Sequence, residues 1–300
     1  MDARKTVRRA LENGLVIPAF NIPYLPMVKP IAQAVKDENS VAMIHVARLE
    51  WEKFEAVSLE RVAEEYGKYA VEGHTLLHLD HVPVIDEDHL EVDYLNLINR
   101  AIQAGYQSVM VDGSRLDLDG NIAATRAVTD LAHAAGLPVE AELGAVMGHE
   151  TAQASIPYEE IFEKKLGFTE VADARKFVAE SHCDWLSVAV GSVHGAIADN
   201  LKDQKKPAAR LDIERISQLE SALDIPLVLH GGSGIENDYI TRAIKAGIAK
   251  INVGTELRQP YERAMREKND VEYAREKVYI RCRELIRDFL HTAGDAGILA

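Results

Sequence analysis

"LLHLDH" (Leu76–His81) makes two demands that one strand seldom meets. Leu76, Leu77 and Leu79 ask for burial on both faces, as in a parallel sheet covered by helices. His78, Asp80 and His81 place ionisable groups in the same six positions. A strand that begins as core and ends polar suits a parallel barrel, whose strands run from a packed interior to an open rim.

Seven further segments extend the pattern along the 300 residues. "VIPAF" (Val16–Phe20) and "VAMIHV" (Val41–Val46) precede the stretch, and "TLLHL" (Thr75–Leu79) is its strand portion. After it come "SVMV" (Ser108–Val111), "PVEAEL" (Pro138–Leu143), "WLSVAV" (Trp185–Val190), "PLVLH" (Pro226–His230) and "KINV" (Lys250–Val253). Amphipathic patterns lie between them. One is "TRAVTDLAHAAG", which closes on Gly136 as a helix C-terminus should; "IERISQLESAL" is another. Eight strands, each followed by a helix, give the count of an α/β fold of the (β/α)8 TIM-barrel type.

No Gly-, Pro- or Ser-rich linker interrupts the series, so residues 1–300 are expected to form one barrel domain, with a C-terminal helical extension over about 257–300. Two loops are long: "VPVIDEDHLEVDY" after the third strand and "GAIADNLKDQKKPAAR" after the sixth. Long loops in compact domains are more often functional or mobile than incidental.

A formal net charge of −14 argues against nucleic acid as a partner, since phosphate backbones require concentrated positive charge. No run approaches the ~20 apolar residues of a membrane span. "MDARKTVRRALENG" lacks the apolar stretch of a secretory signal. A cytoplasmic protein with no membrane partner is therefore expected. Cys183 and Cys282 fit no metal-binding spacing and read as reduced thiols.

Polar residues gather at the C-terminal ends of the strands, the rim where barrels of this type place their chemistry. Strand three ends in Asp80 and His81, strand four in Asp112 and strand five in Glu142. "GSVHG" with His194 follows strand six. Strand seven ends in "HGGSG" with His230, and strand eight in "NVGT" from Asn252. Any one of these histidines reads as ordinary core or surface. Together, His81, His194 and His230 occupy equivalent rim positions and can converge on one ion, with Zn–N contacts of ~2.0–2.1 Å. His78 shares the inward parity of Asp80 and reads as structural, whereas His45 is undecided. Glu140 and Glu142 share a face; Glu142, nearer the rim, suits metal contact, and Glu140 suits a buried support. The glycines of "HGGSG" and "INVGT", with the hydroxyls of Ser233 and Thr255, stand where such barrels bind phosphate.

In order along the chain, "PAFNI", "HLDH", "SVMVDGS", "VEAELG", "VAVGSVHG", "LVLHGGSG" and "INVGTEL" resemble the class II, zinc-dependent ketose-bisphosphate aldolases, which include fructose- and tagatose-bisphosphate enzymes. The resemblance implies a lyase that reversibly cleaves a ketose phosphate or bisphosphate to dihydroxyacetone phosphate and an aldehyde, through an enediolate. It implies zinc on His81, His194 and His230, with Asp112 and Glu142 lining positions for the ion or for a second divalent ion. Asp80 matches the acid/base on the aldehyde-derived oxygen, and Glu150 the group that moves the proton beside the carbonyl. Asn21, Gly195, Gly231, Gly232, Ser233, Asn252, Gly254 and Thr255 match positions that hold the substrate and its phosphate. Backbone carbonyls there commonly hold Na⁺ or K⁺. A homo-dimer or homo-tetramer acting on a small phosphorylated sugar is the implied assembly.

The departures fall on the aldehyde side and the lid. Where the family commonly has Val-Ser-Glu-Gly after strand two, this chain has "HVARLEWEKF", with Ala47 at the serine position. The loop after "HLDH" is longer, and Met147, Gly148, His149 and Glu150 replace a Gly-Gly-Glu-Glu lid sequence. The expectation is the same chemistry on a different aldehyde, such as that from a deoxy, acidic or sulfonated sugar phosphate. Arg48 either meets a different anionic group or is a solvated arginine. A non-catalytic subunit on the same fold is a further alternative, against which stand the retained histidines and Asp80; a metal-dependent hydrolase is another, in which the phosphate loops would have no role.

Overall fold

A computed structural model of the chain describes residues 1–144, 158–192 and 209–300. Eight parallel strands close into a barrel in sequence order, and β1 pairs with β8. They are β1 (Ile17–Asn21), β2 (Ala42–Ala47), β3 (Thr75–Pro83), β4 (Ser108–Asp112), β5 (Val139–Leu143), β6 (Trp185–Val188), β7 (Leu227–Leu229) and β8 (Ile248–Val253). Each stands where the apolar runs predict it. Helices alternate with the strands and bury their apolar stripes on the outside of the sheet.

Two separate cores follow from the pleat. Residues facing outward (Phe20, Ile44, Leu77, Val109) join the core under the helices. Ile17, Ala19, Met43, Leu76, Trp185 and Val228 fill the barrel interior. Side chains alternate along a strand, so Asn21, His45, Ala47, His78 and Asp80 continue that inner face upward toward the rim. Apolar packing thus fills the lower barrel, and polar side chains take over above it.

The lower end is closed by the helix Ala3–Asn13 and the short helix Ala296–Leu299, whose Val7, Ala10 and Leu299 pack on the inner core. From Thr255 onward the chain is largely helical: Thr255–Lys268, Val271–Glu284 and a π-helical turn at Leu285–Phe289. The helix Val271–Glu284 packs on Val28–Asp37. Buried Glu38 anchors this region by accepting from Arg283 of that helix and Arg287 of the turn after it. No helix among the described residues is long and apolar enough to cross a membrane.

β3 departs from the simple reading in a way that matters. It runs four residues past Leu79, and its register with β4 shifts: Leu79 pairs with Val109, but Val82 pairs with Val111. Three steps along β3 therefore match two along β4, which is a β-bulge at Asp80–His81. His81 takes φ +35°, unusual for a residue with a Cβ. The bulge resolves the conflict in the sequence, because regular alternation would send these neighbours to opposite faces. Both now serve the barrel mouth.

Candidate active site

The imidazoles of His81 and His230 meet edge to face, with His230 Nδ1 only 2.8 Å from His81 Nε2. Their outer nitrogens are both engaged by carboxylates. His81 Nδ1–H donates to Asp112 Oδ2 at 3.1 Å, and His230 Nε2–H donates to Glu140 Oε1 at 2.8 Å. This pattern assigns the tautomers. It leaves the lone pairs of His81 Nε2 and His230 Nδ1 aimed at one point, a contact that needs a shared cation or proton. Glu142 Oε2 completes the convergence, 3.4 Å from His230 Nδ1 and 3.5 Å from His81 Nδ1.

Electrostatics state the same demand for positive charge. Burial alone would lower the His81 pKa, but the carboxylates of Asp80, Glu142 and Asp112 outweigh it and push it up to about 10. Burial, reinforced by Asp112, pushes Glu142 up, while against its own burial His81 holds Asp112 low. Two imidazoles and several carboxylates are a donor set for a divalent ion, and hydrogen-bonded carboxylates behind each imidazole are usual at such sites. The residues present fit zinc.

Asp80 lies beside this centre, its Oδ2 4.0 Å from His81 Nε2. Asn252 Nδ2 donates to Asp80 Oδ1 at 2.9 Å, and His45 Nδ1 is 3.1 Å from Oδ2. Burial would raise its pKa, but His45 and His81 hold the carboxyl well below the usual range. His78, read as structural, is fully buried with Nδ1 2.8 Å from Ser108 Oγ. Burial and nearby Lys250 push its pKa down to about 4, so it is neutral.

The positions expected to hold the substrate lie at the same rim, at the ends of β1, β7 and β8. Gly231 adopts φ +69°, and a Cβ on Gly232 would lie 2.6 Å from Ile251 Cγ2 and 2.8 Å from the Asn252 carbonyl oxygen. Glycine is required there because the turn lies directly on β8. Gly254 starts the helix Thr255–Lys268, whose N-terminal amide groups face the same rim, and Ser233 is buried beneath. Asn21 ends β1 next to Gly254, and Arg48 opens the helix Arg48–Lys53. Its guanidinium is engaged, 2.7 Å from Glu52 and 3.3 Å from Asp86 in the long loop after β3. Glu150, His194 and Gly195, with Met147, Gly148 and His149, lie outside the described residues.

Two buried groups escape the sequence reading. Lys250 is fully buried within β8, its Nζ 2.8 Å from Glu140 Oε2 and donating to Asn252 Oδ1 at 2.7 Å. It thereby holds Glu140 behind His230 and Asn252 behind Asp80. A lysine at inward parity two residues below Asn252 was the available signal. Glu50 is the other: it is buried, accepts from Ala47 N–H and Asn21 Nδ2, and burial pushes it up to about 7. Breaking a buried ion pair strands its partner, so Lys250→Met is expected to destabilise the fold by about 3–5 kcal/mol. Denaturant titration measures this; a loss below about 1 kcal/mol would show the pair to be dispensable.

A parallel barrel that gathers imidazoles and carboxylates at the C-terminal ends of its strands belongs to the class built to hold an ion among acid–base groups. The particular family follows from comparison. The class II fructose-bisphosphate aldolase model matches residues 1–296, and the chain belongs to that family. Among solved structures it is similar to the YdjI aldolase of Escherichia coli K12, at 28% identity and a TM-score of 0.77, covering 98% of each chain. A Coccidioides immitis protein provisionally described as a fructose-1,6-bisphosphate aldolase matches at 25% identity and a TM-score of 0.77, again over 98% of each chain. The fructose-bisphosphate aldolase of Campylobacter jejuni shares the fold, at 20% identity and a TM-score of 0.73, over 98% of this chain and 96% of that one.

Proposed function

We propose that the chain reversibly cleaves a ketose phosphate to dihydroxyacetone phosphate and an aldehyde, with zinc as cofactor. The observation that carries this reading is the pair of imidazole nitrogens facing each other at 2.8 Å inside a shell of carboxylates, with Asp80 alongside. His81 and His230, with His194 as the third histidine, hold the zinc, and Asp112 and Glu142 line its position. When bound, zinc supplies Lewis-acid stabilisation of the negative charge that bond cleavage leaves on the carbonyl fragment.

The protein's own groups handle the protons. Asp80, held ionised and oriented by Asn252 and His45, takes the proton of the hydroxyl that becomes the aldehyde oxygen. As that carbonyl forms, the adjacent carbon–carbon bond breaks and its electron pair passes to the ketone fragment. Glu150 returns a proton to that carbon, by its match to the family. Gly231, Gly232, Ser233, Asn252, Gly254 and Thr255, with Gly195, hold the phosphate of the retained three-carbon fragment.

The aldehyde end is where this chain differs. Ala47 has no hydroxyl, and its N–H is taken by Glu50 Oε2 at 2.8 Å. Arg48 is engaged by two carboxylates, and Glu50 adds negative charge near Asp80. A second phosphate at the end of β2 would meet these carboxylates with the Ala47 N–H and the Arg48 guanidinium already taken. We therefore read the substrate as a ketose phosphate other than fructose 1,6-bisphosphate. Arg48 serves an aldehyde-side anion only if that group displaces Asp86 or Glu52.

A retro-aldol screen of phosphorylated ketoses, read by dihydroxyacetone phosphate release with and without chelator, tests the function. One substrate should turn over and lose turnover on metal removal. Fructose 1,6-bisphosphate should give kcat/KM below ~10⁴ M⁻¹s⁻¹, the foot of the efficient range; a higher value overturns the substrate reading. We also read the chain as a single aldolase domain, cytoplasmic and working as a homo-oligomer, which light scattering would check.

A further inference from the structure

Glu50 does more than cap a helix. As the cap of Arg48–Lys53 it needs only Ala47 N–H, which its Oε2 accepts at 2.8 Å. Its second oxygen, Oε1, accepts from Asn21 Nδ2 at 2.7 Å. An ionised carboxylate only accepts, so Asn21 must turn its NH₂ toward Glu50 and its Oδ1 away. That Oδ1 is buried and has no hydrogen-bond partner among the described residues. A buried amide oxygen left unpaired is costly, and one at a rim position points to an incoming donor.

The position supports a substrate as that donor. Asn21 continues the inward face of Ile17 and Ala19 and lies beside Gly254, between the ends of β2 and β8. The Asp80 charge adds to burial in raising the Glu50 pKa, and the His81 charge opposes it. A neutral hydroxyl satisfies the oxygen, whereas an anionic oxygen meets it acceptor to acceptor, with Glu50 behind.

We propose that Glu50 is a positioning residue that fixes the Asn21 amide with Oδ1 toward the reacting centre, so that the site selects an aldehyde carrying a hydroxyl donor. This rests on the aldolase reading above and adds to it a residue that sets how the aldehyde fragment's hydroxyl is recognised. In Glu50→Gln the carbonyl stays with Ala47 N–H, so the new NH₂ faces Asn21. Asn21 then flips and shows its own NH₂ to the site. Asn21→Asp alone sets two carboxylates against each other. Combining Asn21→Asp with Glu50→Gln restores the arrangement, because the introduced carboxylate accepts from the introduced amide and still presents an oxygen.

The test is condensation of dihydroxyacetone phosphate with glycolaldehyde, which bears a hydroxyl, or acetaldehyde, which does not. Assays run above pH 7, where Glu50, raised to about 7, is ionised. The ratio of kcat/KM for the two acceptors is the readout. Wild type should favour glycolaldehyde, each single substitution should cut that preference at least about tenfold, and the double variant should recover it to within about threefold. A merely structural loss would lower both acceptors alike and would not be reversed by a second substitution. Deuterium exchange into dihydroxyacetone phosphate needs no aldehyde and checks the aldolase reading separately. Exchange with an unchanged acceptor ratio in Glu50→Gln, or with no recovery in the double variant, overturns the proposal alone. A wild type that neither exchanges nor condenses overturns both.

Discussion

Asp80→Asn is expected to lower kcat by about 10²–10⁴-fold while leaving KM within a few-fold and bound zinc unchanged. The substitution keeps size and shape, so the inner face of β3 still packs. It removes the only property that the surroundings of Asp80 are arranged to protect, its ionised acceptor. Burial opposes that charge, yet His45 and His81 together hold the carboxyl well below its ordinary pKa. Asn252 Nδ2, donating to Oδ1 at 2.9 Å, and His45 Nδ1, 3.1 Å from Oδ2, fix how the carboxylate faces the substrate. An amide there can neither take the hydroxyl proton nor pass it back. Because Asp80 Oδ2 is 4.0 Å from His81 Nε2, the loss should fall on turnover and leave metal content unchanged. Steady-state kinetics and metal analysis on the same sample decide. A variant within tenfold of wild type would remove Asp80 from the chemistry.

Legibility in the sequence followed the physics of each element. All eight strands were visible because a strand buried on both faces must be a short, largely apolar run rich in Val, Ile and Leu, bounded by polar or turn residues. The rim was visible for the opposite reason, since Asp112, Glu142 and His230 break such runs at their ends. What remained hidden depended on partners distant in the chain. Lys250 opens a predicted strand, a position where lysines are ordinarily solvated. Only barrel closure puts its ammonium 2.8 Å from Glu140, 110 positions away in sequence order. His45 could not be decided, because its meaning lies in Asp80 on the next strand. The bulge at Asp80–His81 appeared only as a geometric requirement, and the shifted register with β4 supplies it. Glu50 sits in "HVARLEWEKF", which in the sequence marks only a departure from the family pattern after strand two. Nothing local announces that its carboxylate turns inward to Asn21.

Removal of His230 is expected to have the largest effect on the metal centre. His230→Ala deletes the nitrogen that faces His81 at 2.8 Å and leaves Glu140 without one of its donors. Zinc affinity should fall by more than the ~10–100-fold typical of losing a supporting hydrogen bond, because a ligand itself is lost. Turnover should fall by about 10³-fold, the rate equivalent of several kcal/mol of Lewis-acid stabilisation. Stripping zinc from the unaltered protein should reproduce the rate loss and add a pH signature. In the metal-free fold His81 has its pKa raised to about 10, above the ordinary 6.5, because Asp80, Glu142 and Asp112 outweigh burial. A raised folded-state pKa contributes stability that is fully present below 6.5 and disappears as pH climbs through 10. Metal-free protein should therefore lose thermal stability across that window, while zinc-loaded protein, whose ion replaces the proton, should not. The gap between the two melting curves should widen with pH. Parallel curves from pH 6.5 to 10 would mean that proton and metal do not compete at His81, and the paired-imidazole account of the site would fall.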